Sequence, residues 1–388
     1  MALGSIILTV SIFGIAQGLS YPLLTFILQR HGVSPTLIGL SAAMTPLGII
    51  ASAPLIQPLC RRAGAGSIAL VCAALSTILF ALVGWSQNLA VWFPLRFLLG
   101  ATIGPLYVLS ETWVITLAPA RWRGRILGAY TMIIAAGFAS GPFSLLLVGS
   151  EGWPPFLVGM FAFALCTLIL VGTLPLLPRL GMDGPVTGAR NFLRQAPVLL
   201  GAVAVAAGFE QAVLSLLPVY GGAYAMDEST LSALIAVLIA GSVVLQVPLG
   251  LVAERLTARS VLIACAFGSA LCCVGLALSI DTLFVWPLAI VLGGLSYGIY
   301  TMGIVELGET FSGSMLLAGN AAFAIAWGVG GVAGPLATGT VMDIIGVHGF
   351  PLTVGLFCFV LGGFAVANRS SLVPQPPIRR ELGGGSTK

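Results

Sequence analysis

The sequence predicts an all-α integral membrane protein, with twelve transmembrane helices in two pseudo-symmetric six-helix bundles. Three observations predict it. Apolar residues make up 58% of the 388 and charged residues 7%, against about 25% charged in a soluble domain. Polar breaks divide the chain into twelve runs that approach or exceed the ~20 apolar residues a bilayer span needs. The second half also repeats the first at a single offset of 193 residues: Gly141-Pro142 returns as Gly334-Pro335, Ser67 as Ser260, Leu99-Gly100 as Leu292-Gly293 and Tyr107 as Tyr300. Cys60-Arg61-Arg62 falls opposite Ala253-Glu254-Arg255 at the same offset.

The runs follow in order. The first, 4–28, has no charged leading segment and is too long for a signal-peptide core, so it remains a helix. It carries Gln17, Ser20, Tyr21 and Thr25. The second, 37–59, ends at Cys60-Arg61-Arg62, and the third, 67–87, is apolar throughout. The fourth, 91–117, encloses Arg96, Tyr107 and Glu111. The fifth, 126–149, holds Gly137 to Pro142 and is separated only narrowly from the sixth, 155–175. The break over 176–196 contains Pro185, Gly188 and three arginines and reads as a linker that lets the halves move against each other. The seventh run, 197–219, carries Glu210 and Gln211, with Glu210 opposite Gln17. The eighth, 230–252, leads into Glu254-Arg255, and the ninth spans 260–280. The tenth, 284–308, carries Tyr297, Tyr300 and Glu306, with Glu309 just beyond it. The eleventh, 316–342, carries Asn320, Trp327 and Gly334-Pro335, and the twelfth spans 350–368. The domains are therefore 1–175, the linker 176–196, 197–368, and a tail over 369–388 whose prolines and glycines read as disordered.

Orientation follows from arginine and lysine. With the N-terminus in the cytoplasm, the inner breaks and the tail hold 14 basic residues and the outer breaks hold Arg30 alone, while Arg96 lies inside a span. Both termini are then cytoplasmic, and the net charge of +4 marks the inner side without any nucleic-acid partner. Basic loops are also placed to touch anionic membrane lipid. The seven cysteines are scattered mostly through the spans with no CxxC pair, so they read as small packing residues without disulfides. His31 and His348 lie far apart and pair with no carboxylate, and no metal site, cofactor or nucleotide-binding sequence is expected. Trp85, Trp92 and Trp286 near span ends read as interface anchors.

A helical array duplicated about an axis along the membrane normal is one way secondary transporters are built, and three motifs make the likeness specific. The break after the eighth run reads Gly250-Leu-Val-Ala-Glu254-Arg255-Leu-Thr-Ala-Arg259. Its first-half counterpart keeps Arg61 and Arg62 but puts Arg61 where the acid should be. The fourth run reads Arg96-Phe-Leu-Leu-Gly100-Ala-Thr-Ile-Gly104, and the fifth Gly137-Phe-Ala-Ser-Gly141-Pro142. Together these resemble the signature loop, the fourth-helix arginine pattern and the fifth-helix glycine-proline motif of the major facilitator superfamily. The pattern is nearest to its bacterial drug/proton antiporter-like branch. The resemblance implies alternating access in the inner membrane, by analogy as a monomer, with a loop that latches one face shut. It places the stronger latch in the second half, at Glu254 and Arg255 with Arg259. The glycines Gly137 and Gly141 with Pro142, repeated as Gly334 and Pro335, read as a bending or packing device with a slight hint of export.

In that superfamily the first, fourth, seventh and tenth helices line the central cavity. The resemblance thus gathers Gln17, Tyr21, Arg96, Tyr107, Glu111, Glu210, Gln211, Tyr297 and Tyr300, with Asn320 and Trp327 from the eleventh, as candidate substrate and coupling residues. An acid at mid-span is costly to ionise and is a functional residue by default, so Glu210 leads as the site of proton or cation binding. The alternative is a protonated Glu held between helices. Arg96 either faces a cavity, to sense a proton site or bind an anion, or snorkels to the outer boundary. Glu111 is a second cavity acid or a partner for the inner arginines. Glu306 and Glu309 read as rim ion pairs. Tyrosines, a tryptophan and one or two acids suit an amphipathic or cationic organic solute. The expected function is proton-coupled secondary transport of such a solute, with export favoured over uptake or uncoupled facilitation, and no enzymatic activity.

Overall fold

The computed structural model describes residues 2–86, 88–119, 123–178, 180, 192, 194–311 and 313–368. Most of the 176–196 linker and the whole 369–388 tail lie outside the described residues. Twelve helices account for nearly all the rest: α1 (Ala2–Arg30), α2 (Pro35–Ala63), α3 (Ala65–Ser86), α4 (Leu89–Leu117), α5 (Arg123–Val148), α6 (Pro154–Thr173), α7 (Pro197–Gly222), α8 (Glu228–Arg255), α9 (Ala258–Ser279), α10 (Val285–Thr310), α11 (Gly313–Ile345) and α12 (Gly349–Ala367). Eleven are long and apolar enough to cross a membrane. Within α5 the apolar stretch is shorter, Met132–Val148.

The helices begin and end where the local chemistry tells them to. Ser34, Asn88, Asp227 and Thr257 cap α2, α4, α8 and α9, each side chain accepting from a backbone N–H of the first turn. Gly64 alone separates α2 from α3, and its φ of 83° is a conformation a side chain would resist. The other breaks within each half are also short, so successive helices reverse direction, and the start of α1 and the end of α12 fall at one end of the bundle. We call that the terminal end and the other the distal end.

The duplication read from the sequence is also a duplication of packing. In the first half α1 packs on α5 and α6, α2 on α4, and α3 on α4 and α6. In the second half α7 packs on α11 and α12, α8 on α10, and α9 on α10 and α12. The close contacts repeat residue by residue. A Cβ added at Gly100 would stand 1.9 Å from the Thr45 carbonyl oxygen, and one at Gly293 would stand 1.8 Å from that of Leu238. Gly48 meets the Phe97 carbonyl as Gly241 meets that of Ile290, and Gly137 meets Ser11 as Gly330 meets Ala204. Every partner is shifted by the same 193 residues. Between apolar helices in lipid, such backbone-on-backbone contact replaces the hydrophobic effect as the source of association.

The halves meet along α2 with α11, α5 with α8, and α1 with α7. α7 is the most enclosed helix, with 83% of its apolar window buried. What is described of the linker is anchored at both ends. Trp113 Nε1 donates to the Pro178 carbonyl at 3.2 Å, and Phe192 is fully buried against Phe311 and Phe323. All seven cysteines are free and buried. Trp92 corrects the interface-anchor expectation: it is fully buried and its indole donates to the Val83 carbonyl at 3.0 Å. Trp85 is 81% exposed, as an anchor would be.

Candidate functional site

The site is built around Glu210, near the middle of α7 and buried. Four phenols lie within electrostatic reach of its carboxylate: Tyr21 from α1, Tyr107 from α4, and Tyr297 and Tyr300 from α10. Two halves thus contribute to one acid. Among the described residues no arginine or lysine pairs with it. A carboxyl so placed, without a paired cation among the described residues and with four phenols within electrostatic reach, can hold a proton, or can exchange it for a positive charge on a guest.

The remaining sequence-derived residues divide. Tyr300 is edge-on to Trp327, with centroids 5.0 Å apart, and forms an aromatic wall with it. Tyr107 is edge-on to Phe13 at 5.1 Å. Glu111 is exposed, forms no ion pair among the described residues, and reaches Tyr300 electrostatically, so it faces the same space from the terminal side. Gln211 lies against Gly331, with its buried Oε1 lacking a partner among the described residues. Asn320 is exposed and forms no hydrogen bond among the described residues. Arg96 does not snorkel. It is 2% exposed, donates to Ser41 Oγ at 3.2 Å, and lies over the Tyr21 ring at 5.3 Å from its centroid. With Gln17, Ser20 and Thr45 it lines a small cavity inside the first half.

Sequence reasoning missed the residues that close the distal end. Arg30 at the end of α1 bonds Glu228 Oε1 at 3.1 Å across the halves, the Ser150 carbonyl at 2.9 Å, and approaches Glu151 at 3.6 Å. Ser150 also donates to Glu228. The Thr36 N–H donates to Asp343 Oδ2 at 3.0 Å, and Thr25 donates to the Ser215 carbonyl at 2.9 Å. Beneath them α2 and α11 touch backbone to backbone, Gly39 on Pro335 and Gly339 on Pro35. The available signal was Arg30 itself, the one basic residue in the outer breaks.

The residues expected to form the latch lie at the terminal end. Arg61, Arg62, Glu254 and Arg255 are exposed, Gly250 is half-buried, and neither Glu254 nor Arg255 has an ion-pair partner among the described residues. Arg259 turns back into its own half. Its Nε lies 2.9 and 2.8 Å from the two oxygens of buried Glu306, and its Nη2 lies 2.5 Å from Oε1. Glu306 is thus in a buried, multiply bonded pair rather than a solvated rim contact. Gly137 and Gly141 beside Pro142 seat α5 on the backbone of α1, while Gly334 beside Pro335 seats α11 on Gly208 of α7. Their visible role is close packing, and since it occurs in both halves it carries no direction of transport. Among the described residues no group of three or more His, Cys, Asp or Glu gathers to hold a metal.

The fold has known relatives. The chain is 28% identical over 358 residues to the uncharacterized MFS-type transporter YfkF of Bacillus subtilis, covering 87% of this chain and 88% of that one. It is 25% identical over 263 residues to the YcaD transporter of Escherichia fergusonii, covering 65% of each. In three dimensions it resembles the nucleoside transporter NupG, with a TM-score of 0.77 at 14% identity over 95% of this chain and 99% of that one. It is equally similar, again 0.77 at 14% identity, to a bacterial homologue of the human lysosomal transporter Spinster in an inward-facing, unoccupied conformation, covering 97% and 98%. The sequence model of the Major Facilitator Superfamily matches residues 6–227 and again 199–386, once for each half of the duplicated array, and the chain belongs to that superfamily of membrane transporters.

Proposed function

We propose that this transporter moves a small organic cation or amphipathic solute across the inner membrane by alternating access, coupled to protons through Glu210. The observation that carries the reading is one buried, cation-free carboxyl at mid-span, approached by tyrosines from both halves. A proton bound there and a positively charged guest compete for the same charge, which ties the movement of one to the other. Tyr300 and Trp327 supply an aromatic wall that favours a flat or cationic guest.

With the arginine-rich terminal end in the cytoplasm, the state described is closed outside and open inside. The distal contacts Arg30–Glu228 and Thr36–Asp343 are then the outer gate. The exposed Glu254 and Arg255 are the inner latch waiting to close. The protein would act as a monomer whose two halves rock about the shared α1–α7 and α2–α11 seams.

The test compares the small-molecule contents of cells and medium for strains expressing wild type, Glu210→Gln, or nothing. Wild type is expected to shift one class of compound. Glu210→Gln is expected to fold normally and to lose proton-driven transport by ~100-fold, in the range for removing an essential proton carrier. Loss of the compound from cells into the medium identifies export, and accumulation inside identifies uptake. Equal, proton-driven transport by both proteins would falsify the role given to Glu210.

A further inference from the structure

The first half holds a buried cationic pocket that the transport reading leaves unused. We propose that this pocket binds one small monovalent anion of halide size, held by Arg96 with help from Gln17.

The pocket is rich in donors and lacks a countercharge. Its polar wall is Gln17, Ser20, Thr45 and Arg96, closed over by aliphatic and phenylalanine side chains. A guanidinium has five N–H donors, and among the described residues the Arg96 side chain makes one hydrogen bond, to Ser41. Among the described residues no carboxylate forms an ion pair with it, and the Tyr21 ring lies 5.3 Å from its guanidinium carbon. Gln17 is 5% exposed, and its side-chain amide makes no hydrogen bond among the described residues. A cation at that depth costs several kcal/mol unless something answers its charge. The free volume has room for about one water-sized guest, which suits a halide and excludes phosphate or a dicarboxylate.

The duplication provides an internal control. Gln17, Ser20, Tyr21, Ser41, Thr45 and Arg96 fall opposite Glu210, Val213, Leu214, Leu234, Leu238 and Ala289. The second half fills the same places with aliphatic residues around its single acid, and its helices pack in the same way. The fold therefore does not need polar groups here. Arginine, serines, threonine and tyrosine together at these positions are a requirement of something bound, and a donor set of this kind selects an anion.

The test uses the full chain purified in detergent, titrated with chloride against gluconate at constant ionic strength while thermal unfolding is followed. Wild type is expected to show a saturable rise in Tm with chloride and with bromide, and bromide crystals to show an anomalous peak beside the guanidinium. Arg96→Ala, the residue of the second half, should weaken halide binding at least tenfold. Gln17→Leu should weaken it less, and this milder variant keeps the test informative if Arg96→Ala does not fold. Glu210→Gln should leave it unchanged, which separates this inference from the coupling role of that acid. A wild type indifferent to halide would mean the pocket holds only water and would overturn the proposal. A full response persisting in Arg96→Ala would place the ion elsewhere and do the same. Formate replacing chloride at equal concentration would overturn the halide assignment in favour of a carboxylate carried by the solute.

Discussion

The two halves share a backbone and differ in charge. Gly100 on Thr45 and Gly293 on Leu238, or Gly48 on Phe97 and Gly241 on Ile290, are the same contact made twice. At equivalent positions the first half places Arg96 with Gln17, Tyr21 and Thr45, whereas the second places Ala289 with Glu210, Leu214 and Leu238. Duplication has preserved what packs helices in lipid and released what does chemistry. The terminal ends diverge in the same way. Arg259 and Glu306 form a buried pair in the second half, and their counterparts in the first are Gly66 and Trp113, whose indole holds the start of the linker instead.

The strongest way to break this comparison is at the shared glycines. Gly100→Val and Gly293→Val should each prevent folding, because the new Cβ falls within 2 Å of a backbone carbonyl that cannot rotate away. The cost exceeds the ~1–3 kcal/mol of ordinary overpacking. Yield of monodisperse protein in detergent reads this directly, and a tolerant site in one half would show that the packing is not truly duplicated. Next comes Arg259→Ala, which strands buried Glu306 and should destabilise the second half by about 3 kcal/mol. The double variant Arg259→Leu/Glu306→Leu should recover much of that loss in the same denaturation assay, as expected if the penalty is an unanswered charge.

A smaller effect is expected at the distal gate. Arg30 and Glu228 are both about one-third exposed, so Arg30→Ala should cost ~0.5–1 kcal/mol and shift the population away from the distally closed state only a few-fold. Spin-label distances across the distal end would report the shift, and high salt should mimic it in wild type. The smallest effect compares two helix caps at the repeat offset, Ser34 on α2 and Asp227 on α8. Hydrogen bonds from Ser229 and Thr230 hold the Asp227 carboxyl down at about 2, below the ordinary 3.8. A depressed carboxyl stabilises the folded state above its unfolded value and loses that contribution as pH falls from about 4 through 2. Cap exchange rates at the start of α8 should therefore rise over that window by an amount corresponding to ~1 kcal/mol or less, while those of α2 stay level. Asp227→Ser should abolish the difference.

Much of the fold was legible because membrane insertion is a local rule. Any ~20-residue apolar run must become a helix to satisfy its own backbone, so twelve spans and their breaks could be read one at a time. The 193-residue offset then fixed which contacts come in pairs. Glu210 was legible for a related reason, since an acid in the middle of an apolar run declares its cost in the sequence. Trp92 and Arg96 were not. Each lies near the end of a span, where anchoring outward and turning inward are equally open, and only neighbouring Val83, Ser41 and Tyr21 decide between them.

The sequence by itself therefore determined the number of helices, their duplication, the alternation of their ends and the single mid-membrane acid, because each is a property of one segment in contact with lipid. Tertiary structure alone decided that the distal end is bridged, that Arg30 reaches across to Glu228, that Arg259 belongs to Glu306, and that four tyrosines from three helices lie within electrostatic reach of Glu210. Those facts depend on how the two bundles sit against each other and on which side chains then come within a few ångströms, and no single helix carries that information.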